Sequence, residues 1–266
     1  MTEDDLDPIT LRNFLRPLNV GAPDALPLVH TTDSARIFSI LKQRRLTAAP
    51  CNVFAGENLT YFFVGRPSYK LKNDGPQPYY WQLPLVFVTK FDTGLKFKRI
   101  LPFDSGAFRN ARLPSHILNF ALEDFDLSED PLLVRKLIAT FYGSNENYFM
   151  RKAYRPEDLE TKHLLNPMHM EILSLAHLYS DPMTPNSDDR GSNIEMQLDG
   201  DFQIADGNLL GVVLPREFRR APALIEALHS LGCRVEYYEM YPLQPSQYYY
   251  AIYNCVESIL RKSRCL

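Results

Sequence analysis

The stretch LPLVHTTDSARIFSILKQRRL, residues 26–46, decides the fold. Its opening residues are apolar up to His30 and include a proline near the start, which is typical of a strand. Thr31 to Asp33 have side chains that cap helix N-termini. From Ser34 to Arg45 the apolar positions recur at helical spacing, and cations occupy the last turn, where they suit the helix dipole. The sequence therefore predicts a strand that ends at His30 and a helix that follows it.

A second stretch, LTYFFVGRPSY at residues 59–69, is rich in aromatic and β-branched residues. This composition favours a strand, and the Gly-Arg-Pro that follows Val64 is a turn signal. Two more extended segments are predicted, a buried one over Leu83–Lys90 and another over Leu95–Leu101. The first hundred residues are therefore built mainly around strands.

The sequence changes character after residue 105. Helical periodicity dominates from Pro114 to about His177, and a polar loop with two prolines follows over Asp181–Ser192. Strands, then helices, then strands again, without regular βαβ alternation, predict the α+β class. The late elements are strands at Ile194–Leu198, Leu209–Leu214 and Arg234–Met240, a helix at Ala221–Leu231, and a segment at Tyr248–Leu260 that begins extended and ends helical.

Length and composition indicate an ordinary globular protein. The 266 residues, 45% apolar and 23% charged, correspond to one large domain or two small ones with a sizeable core. A net charge of −3 excludes a generally basic protein. The acidic N-terminus lacks the apolar core of a signal peptide, and the apolar runs are too short to span a bilayer. We therefore expect a cytoplasmic protein with no membrane association and with reduced cysteines.

The motifs of several common enzyme classes are missing from the sequence, which contains no GxGxxG, GxxxxGK(S/T), HExxH or GxSxG pattern. His163 and His169 are six residues apart, which does not place two metal ligands on one helix face. His169 and His177 could share a face, but they lack a nearby set of carboxylates and cysteines. We therefore expect no metal site.

The order of the first elements resembles the opening of the ADP-ribosyltransferases of the His-Tyr-Glu type. This class includes diphtheria-toxin-like enzymes, poly(ADP-ribose) polymerases and DNA-modifying toxins. In the family a first strand delivers a histidine, and the helix behind it ends near a leucine-rich turn, as residues 27–46 do here. Tyr61 lies on a strand that is similar to the second motif, and Tyr69 lies where a second tyrosine is expected. The resemblance implies an NAD-binding first half over residues 26–105.

The third element of the family is a glutamate at the start of a later strand, after a loop that recognises the substrate. The segment DDRGSNIEMQ at residues 188–197 is similar to it and places Glu195 at that position. The resemblance implies a single domain over 1–266 with an ADP-ribosyltransferase-like split antiparallel sheet. Residues 110–180 would be a helical insertion between the halves, and residues 185–260 the second half. His30 and Glu195 would lie on adjacent central strands.

The chemistry of NAD explains why these residue types are expected. Cleavage of the nicotinamide–ribose bond builds positive charge on the ribose, which a fixed carboxylate such as Glu195 stabilises. His30 would hydrogen-bond the other ribose, two tyrosines would stack on the flat nicotinamide ring, and Arg66 would meet the pyrophosphate. The implied catalytic residues are Glu195, His30 and Tyr61, the implied NAD-binding residues are His30, Thr31, Thr32, Tyr61, Arg66 and Tyr69, and the implied substrate-recognition loop contains Asp188, Asp189 and Arg190.

Each of these assignments has an ordinary structural alternative. His30 and Tyr61 can be plain core residues of their strands, and Glu195 can be a solvent-facing strand residue. Glu236 and Glu239, on a late strand, are the alternative carboxylates.

The resemblance implies an enzyme that uses NAD as a substrate, without a metal, and transfers ADP-ribose to a macromolecular acceptor. The acceptor can be DNA, RNA or protein, and the role that of a bacterial toxin or antiphage effector with an antitoxin or regulatory partner. The alternatives are an NAD glycohydrolase and a non-catalytic nucleotide- or nucleic-acid-binding module. An RNA 2′-phosphotransferase shares the fold, but the first half offers few of the basic residues that this activity needs.

Overall fold

The structure is a computed structural model that describes residues 7–68, 79–181, 190–240 and 248–266. The chain divides into two compact units, each assembled from two separate segments. We name them the helical unit, Met1–Ala25 with Phe97–Glu195, and the sheet unit, Leu26–Lys96 with Met196–Leu266. The helical unit includes residues 110–180, which the resemblance implies to be an insertion. The mixture of strand-rich and helix-rich segments confirms the predicted α+β class.

The strands are β1 Leu28–Asp33, β2 Arg45–Leu46, β3 Ala49–Pro50, β4 Asn58–Val64, β5 Pro84–Thr89, β6 Phe97–Leu101 (helical unit), β7 Glu195–Asp199, β8 Phe202–Gln203, β9 Leu209–Pro215 and β10 Arg234–Tyr238. Those of the sheet unit are ordered β10-β9-β5-β1-β4-β7, with β3 beside β4 and with β2 and β8 paired separately. The pairs β1–β4, β1–β5, β5–β9 and β3–β4 are antiparallel, whereas β9 and β10 are parallel. The sheet is therefore mixed, and the split antiparallel sheet that the resemblance implies is wrong at the β9–β10 edge.

The helices of the described residues are α1 Leu11–Leu15, α2 Ile37–Gln43, α3 Ser105–Arg109, α4 Ser115–Leu118, α5 Leu133–Phe141, α6 Asn145–Phe149, α7 Pro156–His163, α8 Met170–Ser180, α9 Pro222–Ser230 and α10 Tyr248–Lys262. Of these, α2, α9 and α10 belong to the sheet unit. Helix α9 lies between β9 and β10 and provides the crossover that a parallel pair requires. Among the described residues, no helix is both long and apolar enough to cross a membrane.

The core of the sheet unit lies along β5 and β9. Every residue of β5 is buried, which explains why its sequence is apolar up to the final threonine, Thr89. Helix α10 packs closely on β9, because a Cβ added at Gly211 would lie 2.6 Å from Cδ1 of Ile259. A glycine at this position therefore permits the close approach of the helix to the sheet.

Two segments differ from the predicted elements. Thr31 to Asp33 continue β1, where they pair with β5, instead of capping the helix. Tyr248 begins a continuous helix, so the extended start predicted for this segment is wrong. In that helix Tyr248 and Tyr249 are buried, whereas Tyr250 is exposed, and the buried positions recur at helical spacing towards β9 and β10. Tertiary packing thus outweighs the strand propensity of three consecutive tyrosines.

Candidate functional site

His30 lies on β1, an interior strand between β5 and β4, and its ring is held by the neighbouring strand β4. Its Nδ1 is 2.8 Å from the carbonyl oxygen of Tyr61 on β4. A carbonyl can only accept, so Nδ1 carries the proton and donates it. The other ring nitrogen, Nε2, is therefore a hydrogen-bond acceptor in the neutral ring.

Burial keeps the His30 ring neutral. Desolvation lowers the pKa of His30 below 6.5, the Tyr61 carbonyl opposes this shift, and the positive charge of Arg36 adds to it. The ring also packs at 5.7 Å against that of Phe62, which is fully buried. No hydrogen bond to Nε2 is formed by a residue of the described part of the chain. His30 thus offers an oriented acceptor that fits a hydroxyl group of a ligand.

The two threonines after His30 occupy different faces of β1. Successive strand residues point to opposite faces, so Thr32 shares the face of His30 and Thr31 takes the other. The Thr31 hydroxyl is buried and has no hydrogen-bond partner within the described ranges. NAD binding by Thr31 and Thr32 remains a prediction.

Tyr61 is partly buried on β4, and its hydroxyl is 2.7 Å from the sulfur of Cys51. That sulfur also accepts hydrogen bonds from the backbone N–H groups of Val53, at 3.1 Å, and Phe54, at 3.0 Å. No sequence signal marks Cys51, because its contact with Tyr61 depends on the path of the loop that connects β3 and β4. The loop therefore fixes the tyrosine ring from its hydroxyl end.

The structure brings His30 and Tyr61 together through the backbone of Tyr61. The His30 ring contacts the ring of Phe62, and alternation along β4 directs Tyr61 and Phe62 to opposite faces. The stacking role of the Tyr61 ring against nicotinamide stays a prediction. Tyr69, the second expected stacking residue, lies outside the described residues.

Arg66 follows β4 and is fully buried. The preceding Gly65 has a left-handed φ of 66°, and a Cβ at that position would lie 2.9 Å from Cδ1 of Leu26. A glycine is therefore required where the chain turns inward. In this conformation the Arg66 guanidinium is enclosed by protein, and its contact with a pyrophosphate stays a prediction.

Glu195 is the first residue of β7, and its side chain is only 2% exposed. Its Oε2 accepts a hydrogen bond of 3.3 Å from the backbone N–H of Ser105, at the start of α3. A carboxylate is favoured there because the first N–H groups of a helix point outward. Within the helical unit, Glu195 is therefore a fixed, buried carboxylate rather than a solvent-facing strand residue.

The residues before Glu195 are fixed by a buried tyrosine. The Tyr148 hydroxyl donates to Oδ1 of Asn193 at 2.8 Å and accepts from the backbone N–H of Ile194 at 3.1 Å. Tyr148 and Asn193 are both fully buried. Neither residue has a sequence signal that marks it, because the contact joins α6 to a segment 45 positions later.

Arg190 lies in a short 3-10 turn, Arg190–Ser192, and is 8% exposed. Its carbonyl oxygen accepts a hydrogen bond of 3.1 Å from the N–H of Asp104. Asp188 and Asp189 lie outside the described residues. Arg190 is therefore a buried residue in this conformation, and recognition of an acceptor by this loop stays a prediction.

Two further expectations concern the carboxylates. In the strand order, β4 lies between β1 and β7, so the expectation that His30 and Glu195 lie on adjacent strands is wrong. The alternative carboxylates are engaged elsewhere: Glu236 pairs with Lys262 at 2.7 Å, and Glu239 with Arg216 at 2.6 Å. Among the described residues, no group of three or more potential metal ligands comes together.

The chain has a distant similarity to a solved structure. No protein-family model matches the chain, and no curated protein matches it. A solved structure of DarT from Thermus sp. 2.9 in complex with NAD+ is similar, with a TM-score of 0.39 and 12% sequence identity. The match covers 81% of this chain and 96% of the other. The function proposed below rests on the residues of this chain.

Proposed function

We propose that this protein is an NAD-dependent ADP-ribosyltransferase that modifies a macromolecular acceptor. The observation that supports the proposal is the geometry of His30. Its Nδ1 is committed to the Tyr61 carbonyl at 2.8 Å, and burial holds its ring neutral. Nε2 is therefore an acceptor of fixed direction, which is what a ribose hydroxyl requires.

In this proposal Thr32 binds NAD on the face of His30, Thr31 contributes through its backbone groups on the same strand, and Tyr61 stacks on the nicotinamide ring. Arg66 contacts the pyrophosphate through its guanidinium fork. NAD is the substrate, and the reaction needs no metal.

In the proposed reaction, the bond between the nicotinamide nitrogen and the ribose anomeric carbon breaks, and its electron pair leaves with nicotinamide. Positive charge develops on the ribose, and Glu195 stabilises it through a ribose hydroxyl. A nucleophilic atom of the acceptor then bonds to the anomeric carbon and releases a proton to solvent. The hydrogen bond from Ser105 supports this role, because it fixes the Glu195 carboxylate before the reaction.

The proposed biological role is that of a cytoplasmic bacterial toxin or antiphage effector, held in check by an antitoxin or regulatory partner. The acceptor is DNA, RNA or protein, and the segment around Asp188, Asp189 and Arg190 would recognise it. If water takes the place of the acceptor, the same residues make an NAD glycohydrolase.

A non-catalytic nucleotide-binding module is the second candidate, and the burial of Glu195 favours it. A carboxylate that is 2% exposed and bonded to a helix N-terminus can be wholly structural. Such a module would keep the binding surface around His30 and release no nicotinamide.

Incubation with NAD, followed by chromatographic measurement of released nicotinamide, separates these candidates. We expect release, with or without added DNA, RNA or protein, and a fall of about 10³-fold in kcat for Glu195→Gln. Glu236→Gln is the matched control, because it removes the same charge at a surface ion pair. Absence of release with every acceptor, combined with retained NAD binding, would establish the binding module.

His30 is tested by NAD affinity. We expect His30→Ala to weaken NAD binding about tenfold, because one hydrogen bond to a ribose hydroxyl is lost. His177→Ala, on an exposed face of α8, should bind as the wild type does. Equal affinity of His30→Ala and the wild type would contradict the proposed site.

A further inference from the structure

A cavity of about 580 Å³ opens in the sheet unit, away from the residues proposed to bind NAD. Its volume lies in the range of small-molecule sites, roughly 300–1,000 Å³. The cavity walls include Lys90, Arg234, Lys262, Ser263, Gly207 and Gly232. His30, Tyr61 and Glu195 do not line it.

Sheet register brings the cations of this cavity together. Lys90 follows the last residue of β5, and its backbone N–H donates to the carbonyl of Asn208 at 2.8 Å, just before β9. Arg234 is the first residue of β10 and pairs with Gly211 of β9. Lys262 is the last residue of α10, which packs on the same two strands. Three separate elements thus each contribute one cation.

Most of this positive charge is not neutralised locally. Lys262 forms an ion pair of 2.7 Å with Glu236, whose carboxylate also accepts from the Ser258 hydroxyl at 3.0 Å. Lys90 and Arg234 form no ion pair with any residue of the described ranges. The cavity therefore combines three cations with one carboxylate in a chain whose net charge is −3. A local excess of this sign attracts anions.

Two glycines of the cavity wall have left-handed backbone conformations. Gly207 has a φ of 80° and Gly232 a φ of 71°, and a Cβ added at either position would meet nothing within 4 Å. Gly232 follows the C-terminus of α9, and its N–H donates to the carbonyl of His229 at 2.9 Å. The left-handed turns therefore form walls without side chains, and a ligand can approach the backbone.

We propose that this cavity binds a phosphate-bearing small molecule of nucleotide size. Arginine and lysine together recognise phosphoryl oxygens, since the guanidinium fork fits two oxygens and the ammonium groups add charge. The Ser263 hydroxyl is a further donor in the wall. Leu209 and Leu210 supply an apolar surface for the remainder of the ligand. The site is independent of the proposed NAD chemistry.

Isothermal titration calorimetry with two probes, inorganic pyrophosphate and AMP, tests the site. We expect saturable binding of at least one probe, weakened about tenfold in Arg234→Gln and in Lys90→Gln, because each loses one charge-assisted contact. Both side chains are exposed, so the variants should fold, which thermal unfolding verifies. Lys42→Gln is the matched control, because it removes an exposed cation from α2, outside the cavity.

The two probes also show whether the cavity recognises the phosphoryl groups alone or the remainder of a nucleotide as well. Binding of pyrophosphate indicates recognition of the phosphoryl groups alone, whereas tighter binding of AMP indicates that the apolar wall contributes. Absence of binding by both probes, or equal weakening in Lys42→Gln, would overturn the proposal. Arg234→Gln and Lys90→Gln should leave nicotinamide release unchanged, so failure of this site and failure of the proposed NAD chemistry give different results.

Discussion

Two polar groups of residues, one in each unit, are held in different ways. In the sheet unit, His30 is half-buried, with one ring nitrogen bonded to the Tyr61 carbonyl and the other oriented as an acceptor. In the helical unit, Glu195 and Tyr148 are almost completely buried and bonded to the backbone of Ser105 and Ile194. The first arrangement leaves hydrogen-bonding capacity for a ligand, and the second fixes a carboxylate in place.

Tyr148→Phe should show the largest effect on stability. The variant leaves the buried Asn193 oxygen and Ile194 N–H without the hydroxyl that bonds both. We expect the free energy of unfolding to fall by about 3 kcal/mol. Denaturant titration measures it, with Tyr154→Phe on a partly exposed ring as the control. A loss below about 1 kcal/mol would mean that the buried residues before Glu195 are not held by this tyrosine.

Substitution of Glu195 should give the second largest effect on the free energy of unfolding. It also separates the contribution of Glu195 to stability from its proposed catalytic role. Glu195→Leu removes the acceptor of the Ser105 N–H, and we expect a loss of about 2 kcal/mol. Glu195→Gln keeps an acceptor oxygen and should lose less than about 1 kcal/mol. Thermal unfolding of both variants measures the difference. If Glu195→Gln is as unstable as Glu195→Leu, the negative charge itself stabilises the fold, and the glutamine variant is not a clean probe of catalysis.

The stability of the sheet unit should depend on pH through His30. The folded-state pKa of His30 lies below its unfolded value of 6.5 because of burial. As the pH falls, the unfolded chain therefore binds a proton first. The free energy of unfolding should be highest above pH 6.5 and should decrease from there toward the folded-state pKa.

The measurement for His30 is the difference between the wild type and His30→Gln, since burial also lowers the pKa values of His116 and His163. Between pH 7 and the folded-state pKa of His30, the free energy of unfolding should fall further in the wild type than in His30→Gln. Parallel pH profiles would show that the His30 ring titrates freely, and the contrast between the two units would then lose its electrostatic basis.

Tyr61→Phe should have the smallest effect, a loss of about 0.5 kcal/mol in the free energy of unfolding, because the contact between its hydroxyl and the Cys51 sulfur is lost. The phenyl ring remains, so stacking on nicotinamide and the KM for NAD should hardly change. Tyr61→Ala removes the ring and should raise the KM about tenfold. Steady-state kinetics of the two variants compares them. An unchanged KM for Tyr61→Ala would show that the Tyr61 ring does not bind NAD. The position of this ring on the opposite face of β4 from Phe62 would explain that result.

The strands with a strong local pattern were predictable from the sequence. The segment Leu59–Val64 was expected as a strand and β4 covers Asn58–Val64, and Leu209–Leu214 corresponds to β9, Leu209–Pro215. In both, β-branched or apolar residues agree with burial in the sheet. The helix cap predicted at Thr31 to Asp33 is wrong, because these residues occur in strands as well as at helix N-termini, and pairing with β5 makes them part of β1.

The candidate site was predictable only as positions along the chain. Placement of His30 on a strand and Glu195 at a strand start follows from local patterns. The Tyr61 carbonyl bonded to His30, the Cys51 sulfur at the Tyr61 hydroxyl, and the Ser105 N–H at Glu195 all depend on tertiary contacts. The order of strands also lies beyond local patterns, because β4 between β1 and β7 is a matter of topology.

The interleaving of the two units along the chain has a consequence for biosynthesis. Strand β5 precedes the whole segment Phe97–Glu195, whereas its neighbour β9 follows it. A nascent chain therefore exposes one edge of a strand that is wholly buried in the folded protein until β9 has left the ribosome. A chain that ends after Glu195 would keep the unpaired edge of β5. It should therefore aggregate rather than persist as a smaller folded protein.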